Sequence, residues 1–274
     1  MRSTALALTV SLALAACSEP TIPSSPLAPT APSAIVNGTY SGSAYPSVGG
    51  LLLDWNKNGV DADDLYCTGS LISPTVFLTA AHCVVDEPSD AQWYVSFAPD
   101  LNVKGVKFIE AVSFAYDPAY GHDQGNLHDL AVIILPEGST KGLTPYRLPY
   151  AGELDVLSAK GALADAIFIN VGYGTSASKT GIPEFTYDGR RYVSESEFMG
   201  LQPYWLGLLM NTSATGLGGD CYGDSGGPKF LKSKPGIVYA TVTTGDWNCR
   251  ATSWDYRMDT DDARTFLGKY VKLS

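Results

Sequence analysis

Residues 221–228 read CYGDSGGP and pose the first question about the fold. Ser225 lies between Asp224 and a pair of glycines, and the stretch also fits the pattern G-x-S-x-G through Gly223 and Gly227. A serine in such a loop is typical of a hydrolytic nucleophile. Because at least two unrelated folds present a serine in this way, the rest of the chain has to decide between them.

The positions of the histidines decide much of this question. The chain has 3 of them, His82, His122 and His128. An α/β-hydrolase needs its histidine after the nucleophile, but all of these precede Ser225. Subtilisin order needs an aspartate before the histidine; aspartates do precede His82, but that fold alternates strands with long helices and this sequence does not. The order that remains is His, Asp, Ser.

From Ile35 onward the sequence predicts short β-strands. Segments such as VFLTAAHC, DLAVIIL and GIVYATVTTG are rich in β-branched and aromatic residues, and clusters of Gly, Pro, Asn and Asp separate them. One segment is clearly helical: after Thr260, two aspartates suit a helix N-terminus, and apolar residues between Phe266 and Val271 share a face. The predicted fold class is therefore all-β with a C-terminal α-helix.

Four segments, in this order, resemble those of the chymotrypsin-like, or trypsin-like, serine peptidases. They are IVNG (35–38), LTAAHC (78–83), HDLAVIIL (128–135) and GDSGGP (223–228). The resemblance covers residues 35–274, which would form one peptidase domain. It implies two six-stranded antiparallel β-barrels, with the active site in the cleft between them.

The same resemblance implies a serine endopeptidase that acts on protein or peptide substrates without a cofactor or a metal. Ser225 would attack the peptide carbonyl, His82 would take up and return its proton, and Asp129 would orient His82. The backbone N–H groups of Gly223 and Ser225 would form the oxyanion hole. A non-catalytic binding lipoprotein on the same fold is the alternative from another functional class.

The substrate pocket is also implied by the resemblance. Gly219 stands where the trypsin branch carries an aspartate, and Asp220 follows it. A carboxylate on the pocket wall favours Arg or Lys before the cut bond, whereas an ion pair of Asp220 with Arg250 would leave the pocket suited to Phe, Tyr or Leu. The segment expected to pair with the substrate backbone is Thr243, Thr244 and Gly245, with Thr244 where a Trp is usual.

Activation and the disulfides follow from the resemblance as well. A freed amine at Ile35 would pair with Asp224 and hold the oxyanion loop in its working shape. Because Ala34 is not Arg or Lys, the activating peptidase is unidentified. The implied disulfides are Cys67–Cys83 and Cys221–Cys249, which leave one of the 5 cysteines, Cys17, without a partner.

The N-terminal residues predict export. Residues 1–17 have a basic start and a short apolar run, as secretory signal peptides do, and end in LAAC, which resembles a bacterial lipobox. Cys17 would then carry lipid and be the chain's one link to a membrane, as in an outer-membrane lipoprotein; ordinary cleavage near Ala16 and secretion is the alternative. Prolines at every third position of residues 18–34 predict a stiff polyproline II spacer.

Charge and composition limit the partners. A net charge of -10 without a basic cluster argues against binding to nucleic acid, and a monomer is expected.

Residues 54–65, DWNKNGVDADDL, begin like a calcium-binding loop. They end in Leu65 where a bidentate Glu is needed, which favours a polar turn. A zinc site is not favoured, because the cysteines lack the close pairing with histidines that zinc requires.

Overall fold

The computed structural model describes residues 35–177, 182 and 184–273. The predicted signal segment 1–17, with Cys17, and the predicted spacer 18–34 lie outside these residues. Within the described ranges, no helix combines the length and the apolar character needed to cross a membrane.

The first half of the domain is a seven-stranded antiparallel sheet in the order β6-β5-β2-β3-β4-β8-β7. Its strands are β2 (Val48–Leu53), β3 (Leu65–Ser73), β4 (Val76–Thr79), β5 (Trp93–Ser96), β6 (Ile109–Glu110), β7 (Ser113–Tyr116) and β8 (Ala131–Ile134). A short strand, β1 (Thr39–Tyr40), precedes them and pairs with the second sheet.

Strands β6 and β7 are successive parts of one extended stretch that changes partner. The Ala111 N–H donates to the Trp93 carbonyl on β5 at 2.8 Å, and the next N–H, of Val112, donates to the Ile134 carbonyl on β8 at 2.7 Å. This switch joins the two ends of the sheet, so the seven strands curl around a common core.

The second half contains the other large sheet, in the order β1-β12-β13-β16-β15-β14-β9. Its remaining strands are β9 (Ile167–Gly172), β12 (Tyr192–Leu201), β13 (Trp205–Leu209), β14 (Pro228–Leu231), β15 (Lys234–Gly245) and β16 (Thr252–Arg257). Because β9 pairs with both β14 and β12, these strands close into a barrel of six. A separate hairpin pairs β10 (Ser176–Ala177) with β11 (Phe185–Thr186). The predicted all-β fold is confirmed.

The predicted C-terminal helix is present as α3 (Asp261–Leu267), and the Thr260 side chain caps it by accepting the Ala263 N–H. Two further helices, α1 (Glu153–Ala159) and α2 (Thr212–Thr215), were not predicted. Both are too short for an apolar repeat to show in the sequence: α1 buries a single residue and α2 buries none. Two 3₁₀ turns, Ala62–Asp64 and Ala81–Cys83, complete the described helices.

Apolar side chains from both sheets and from α3 form one shared core. Val48 and Val132 of the first sheet pack in one cluster with Val171 and Phe230 of the second and with Phe266 of α3. Each sheet also encloses a core of its own. The shared cluster fixes the position of one sheet relative to the other, so a cleft between them has a defined shape.

A buried arginine reinforces this junction. Arg191 is 1% exposed and donates to the carbonyl of Val48 on β2 at 2.8 Å and to that of Phe97, just after β5, at 3.2 Å. It also donates to the Gly42 and Ala44 carbonyls in the segment that precedes β2. A buried cation is tolerated only when its donors are satisfied, and these carbonyls satisfy them.

Replacing this arginine tests the junction. Arg191→Met keeps an unbranched side chain but leaves several buried carbonyls without a donor, so we expect a loss of about 3 kcal/mol or more in the free energy of unfolding. The neighbouring Arg190, whose side chain is 49% exposed, gives the matched control Arg190→Met, which should change stability little. Urea titration followed by tryptophan fluorescence measures both. Equal losses in the two variants would contradict this role for Arg191.

Candidate active site

Two neighbouring strand ends place His82 beside Asp129. Strands β4 and β8 are antiparallel with Thr79 opposite Ala131, so the chain leaving β4 and the chain entering β8 lie at the same edge. His82 is in the 3₁₀ turn that follows β4, and Asp129 lies two residues before the start of β8. The sheet register therefore brings together two residues that are far apart in sequence.

Asp129 holds the histidine by two hydrogen bonds. Its Oδ2 is 2.8 Å from His82 Nδ1, and its Oδ1 accepts the His82 backbone N–H at 2.9 Å. The Asp129 side chain is fully buried, while the imidazole is 29% exposed. Burial opposes the charged imidazolium, but the hydrogen bond and negative charge of Asp129 outweigh it and raise the pKa of His82 above its usual range.

Ser225 and His82 line the same cleft, which has a volume of about 420 Å³. The loop that carries Ser225 is bound to the first sheet through Thr68 on β3. The Thr68 N–H donates to the Ser225 carbonyl at 2.9 Å, and its Oγ1 donates to the Gly223 carbonyl at 2.9 Å. One residue therefore holds the serine loop of the second half against the sheet that carries His82.

Alternate N–H groups of this loop are left without acceptors. The N–H groups of Asp224, Gly226 and Gly227 donate to backbone carbonyls. Within the described part of the chain, those of Gly223 and Ser225 donate to none. Gly223 has φ +90°, and a Cβ there would lie 3.0 Å from the Gly174 Cα, so the turn requires glycine.

Both predicted disulfides are present, and each supports a wall of the cleft. Cys67–Cys83 ties β3 to the turn that carries His82. Cys221–Cys249 ties the serine loop to the segment after β15. The described residues bring one His/Cys group together, Cys67, His82 and Cys83, but its two sulfurs are bonded to each other and hold no metal.

The predicted ion pair between Ile35 and Asp224 is not formed in the uncut chain. Ile35 is fully buried, and the next residue, Val36, exchanges two backbone hydrogen bonds with Gly219, at 2.9 and 3.1 Å. The Asp224 carboxylate instead accepts the N–H groups of Gly174 and Cys221, each at 2.8 Å. In the uncut chain the Ile35 nitrogen is part of a peptide bond and carries no charge.

The burial of Asp224 has an electrostatic consequence. Burial, with a further contribution from the charge of Asp220, raises the pKa of Asp224 to about 8. The two backbone donors and the ammonium of Lys229 act in the opposite direction but do not offset the burial. A cation placed next to this buried carboxyl would favour its ionised form.

The predicted pocket residue Asp220 has a partner that the sequence did not suggest. Asp220 lines the cleft and is 4% exposed, and its Oδ1 is in direct contact with the Nζ of the fully buried Lys229. Gly219 lies against Met210: a Cβ at Gly219 would be 2.1 Å from the Met210 sulfur. The space that an acidic side chain at position 219 would need is therefore filled by a thioether.

The predicted substrate strand lies along the cleft at the end of β15. The register of β15 against β16 shifts between Val242 and Thr244, which sets Thr243 off the ladder. Thr244 and Gly245 follow it along the cleft.

Two aromatic residues that line the cleft were not predicted from the sequence. Tyr222 and Trp247 are 51% and 65% exposed, and the Tyr222 hydroxyl donates to the Trp247 carbonyl at 3.0 Å. Tyr222 follows Cys221, and Trp247 lies two residues before Cys249. Their proximity in sequence to these cysteines could have indicated a place on the cleft.

The histidine next to Asp129 and the calcium-like loop both lie apart from this cleft. His128 Nδ1 is 3.1 Å from Asp117 Oδ2, so this histidine has its own carboxylate. In the calcium-like loop, the Asp54 carboxylate accepts the N–H groups of Asn58 and Gly59 at 3.2 and 3.0 Å. These bonds are those of a polar turn, the structure favoured from the sequence.

Comparisons with known proteins agree with this architecture. The family described as Trypsin matches residues 53–256. Collagenase of Hypoderma lineatum is 30% identical over 211 residues, which cover 73% of this chain and 73% of the relative. Glucanase inhibitor protein 4 of Phytophthora infestans is 28% identical over 210 residues, which cover 74% of this chain and 78% of the relative.

Solved structures show the same fold. Human heparin binding protein superposes with a TM-score of 0.63 at 18% identity, covering 88% of this chain and 99% of its own. The HL collagenase structure gives 0.61 at 22% identity, covering 87% and 100%. The VesB protease of Vibrio cholerae gives 0.62 at 20% identity, covering 86% and 67%. Since the family match spans most of the chain, the protein belongs to the trypsin family of chymotrypsin-like serine proteases.

Proposed function

We propose that the chain is an active serine endopeptidase in which Ser225, His82 and Asp129 form the catalytic triad. The observation that carries the proposal is the His82–Asp129 pair on the same cleft as Ser225. A buried carboxylate that binds Nδ1 fixes the imidazole so that Nε2 is left to act as the base. The family supplies the reaction class, peptide hydrolysis.

In this mechanism His82 takes the proton from Ser225 as the hydroxyl attacks the peptide carbonyl. The carbonyl oxygen becomes an oxyanion, and the N–H groups of Gly223 and Ser225 are the donors for it, because neither donates to a described protein acceptor. His82 then gives its proton to the leaving amine. In the second half of the reaction His82 takes a proton from water as the water attacks the acyl carbonyl, and it returns this proton to Ser225 as the serine leaves. Asp129 stays ionised and stabilises the charged imidazolium.

A binding protein without catalysis is the second candidate. Two relatives are named for inhibition of a glucanase and for binding heparin, so members of this fold carry names other than protease. Two observations favour catalysis in this chain. Each triad position carries the required residue type, and the His82–Asp129 hydrogen bond has the geometry that a base needs.

The enzyme is exported and made as a precursor. Disulfides are typical of oxidising compartments, and the apolar run within residues 1–17 supports export. Cys17, left over by the two disulfides, is the lipidation site of an outer-membrane lipoprotein, and residues 18–34 are the spacer. An unidentified peptidase cuts between Ala34 and Ile35, and the mature enzyme is a monomer.

Removing the nucleophile tests the catalytic proposal. Ser225→Ala should lower kcat by about 10⁶-fold, because triad residues act as a unit. The exposed Ser213 gives the matched control Ser213→Ala, which should keep native activity. Hydrolysis of a fluorescent casein and labelling by a fluorophosphonate probe measure both. Native protein that is unlabelled and inactive after cutting before Ile35 would favour the binding protein. Most of the activity surviving in Ser225→Ala would contradict the assignment of Ser225 as the nucleophile.

The pH profile tests the role of Asp129. Only neutral His82 acts as the base, so kcat/KM should rise with pH; because Asp129 raises the pKa of His82, the midpoint should lie above the ordinary value of about 6.5. Asp129→Asn should lower the midpoint and reduce kcat by about 10⁴-fold. Initial rates between pH 5 and 9 measure both effects. A midpoint unchanged in Asp129→Asn would contradict this electrostatic role.

N-terminal sequencing tests activation. Cutting before Ile35 creates an ammonium that would give buried Asp224 a direct cationic partner in addition to its two backbone N–H donors. We expect active enzyme to begin at Ile35, and a precursor made uncleavable by Ala34→Pro to lose at least about tenfold in kcat/KM. Asp224→Asn should reduce the activity of cut enzyme in the same way. Full activity from protein that still carries residues 18–34 would contradict the mechanism.

A further inference from the structure

A buried charged cluster lies behind one wall of the cleft. Asp220, Lys229 and Asp255 are 4%, 0% and 0% exposed. Lys229 contacts Asp220 directly, lies 3.6 Å from Asp255, and donates to Asn170 Oδ1 at 2.7 Å. Of the three charged groups, Asp220 is the one that reaches the cleft.

The hydrogen bonds around Ser253 show how many protons this cluster holds. Its Oγ lies 2.8 Å from Asp220 Oδ2 and 2.8 Å from Asp255 Oδ1. A hydroxyl has a single proton and can donate to only one of these oxygens. The second contact is a hydrogen bond only if one carboxyl is protonated and donates to the serine.

Asp255 is the group that carries this proton. Lys229 is in direct contact with Asp220 but 3.6 Å from Asp255, and Asp255 Oδ2 has no hydrogen-bond partner among the described residues. Burial first, and then the charge of Asp220, raise the pKa of Asp255 well above its usual range. Burial opposes the charge of Lys229, but the negative charge of Asp220 beside it outweighs burial and raises the pKa of this ammonium.

The cluster is therefore neutral as a whole. Lys229 contributes one positive charge, Asp220 one negative charge and protonated Asp255 none. A basic substrate side chain entering the cleft would meet a carboxylate whose two oxygens already contact Lys229 and Ser253. It would lose its hydration and gain little in return.

The floor of the pocket is apolar as well. The Met210 side chain lies against Gly219 at one end and, through Cε, comes within 3.8 Å of where a Cβ on Gly245 would be. Val242 lines the same cleft. A thioether and a valine contact apolar side chains favourably and offer no acceptor to a cation.

From this arrangement we propose that the pocket accepts an uncharged, apolar side chain before the cut bond, and that Lys229 is the positioning residue that makes it so by neutralising Asp220. The inference rests on the proposed peptidase function and names its substrate class. It reverses the preference for Arg or Lys expected from Asp220 alone. It also replaces Arg250 by Lys229 as the partner of the carboxylate in the neutral alternative.

The test compares kcat/KM for peptides that differ only in Leu, Phe or Arg before the cut bond. Native enzyme should prefer Leu or Phe over Arg by about tenfold or more. Lys229→Met frees Asp220 and should raise the ratio of Arg to Leu by about tenfold or more, since an unpaired carboxylate in a desolvated wall attracts a cation. Adding Asp220→Asn in a double variant should restore the native ratio. Exposed Lys232 gives the matched control Lys232→Met, with the ratio unchanged.

The outcomes separate the two proposals. Fluorophosphonate labelling of every variant shows whether the triad is formed. All variants are compared after cutting before Ile35. A labelled native enzyme that prefers Arg overturns the pocket inference alone, whereas native protein that stays unlabelled and inactive after this cut overturns the peptidase function. If Lys229→Met does not fold, the native profile and the double variant, which buries no unpaired charge at these two positions, decide the question. An unchanged ratio in a folded, labelled Lys229→Met also contradicts the inference.

Discussion

The contacts of Thr68 are the constraint on which the site depends. Its N–H and Oγ1 bind the carbonyls of Ser225 and Gly223, its Oγ1 also accepts the Tyr173 N–H at 3.1 Å, and its carbonyl accepts the Thr79 hydroxyl at 2.8 Å. The residue is fully buried on a strand of the first sheet. A nucleophile and a base that come from different halves of a domain need such a fixed connection, because an error of about 1 Å in their separation costs about 10²-fold in rate.

Three buried aspartates around the cleft show that the partner, and not the residue type, decides what a carboxylate does. Asp129 faces a partly exposed imidazole and is suited to stabilise its charge. Asp224 accepts two backbone N–H groups and has no direct cationic partner among the described residues. Asp220 faces a buried ammonium and is neutralised by it. Environments that differ in this way are how one chain assigns separate roles to chemically identical groups.

The all-β fold and the loop that carries Ser225 could be predicted from the sequence, because strand patterns and motifs are local. Alternating β-branched residues predict strands, and the order of His82 and Ser225 excludes an α/β-hydrolase. The partner of Asp220 could not be predicted. Nothing in the local sequence distinguishes Lys229 from a solvent-exposed lysine on a strand, and its burial arises only when the barrel forms. The proximity of Met210 to Gly219 also arises only from tertiary packing.

The pocket and the activation site share one set of buried charges. Asp220 and Asp224 flank Cys221, and the charge of Lys229 acts on both. Burial raises the pKa of Asp224 to about 8 in the uncut chain, which favours its neutral form, and Lys229 and Asp220 then balance each other. Ionised Asp224 would add a negative charge that no buried cation offsets. Cutting before Ile35 would supply that cation, so Asp224 would ionise while the region as a whole stays neutral. Because buried charges need partners, a lysine that neutralises Asp220 would leave Asp224 dependent on the new N-terminus in the proposed activation.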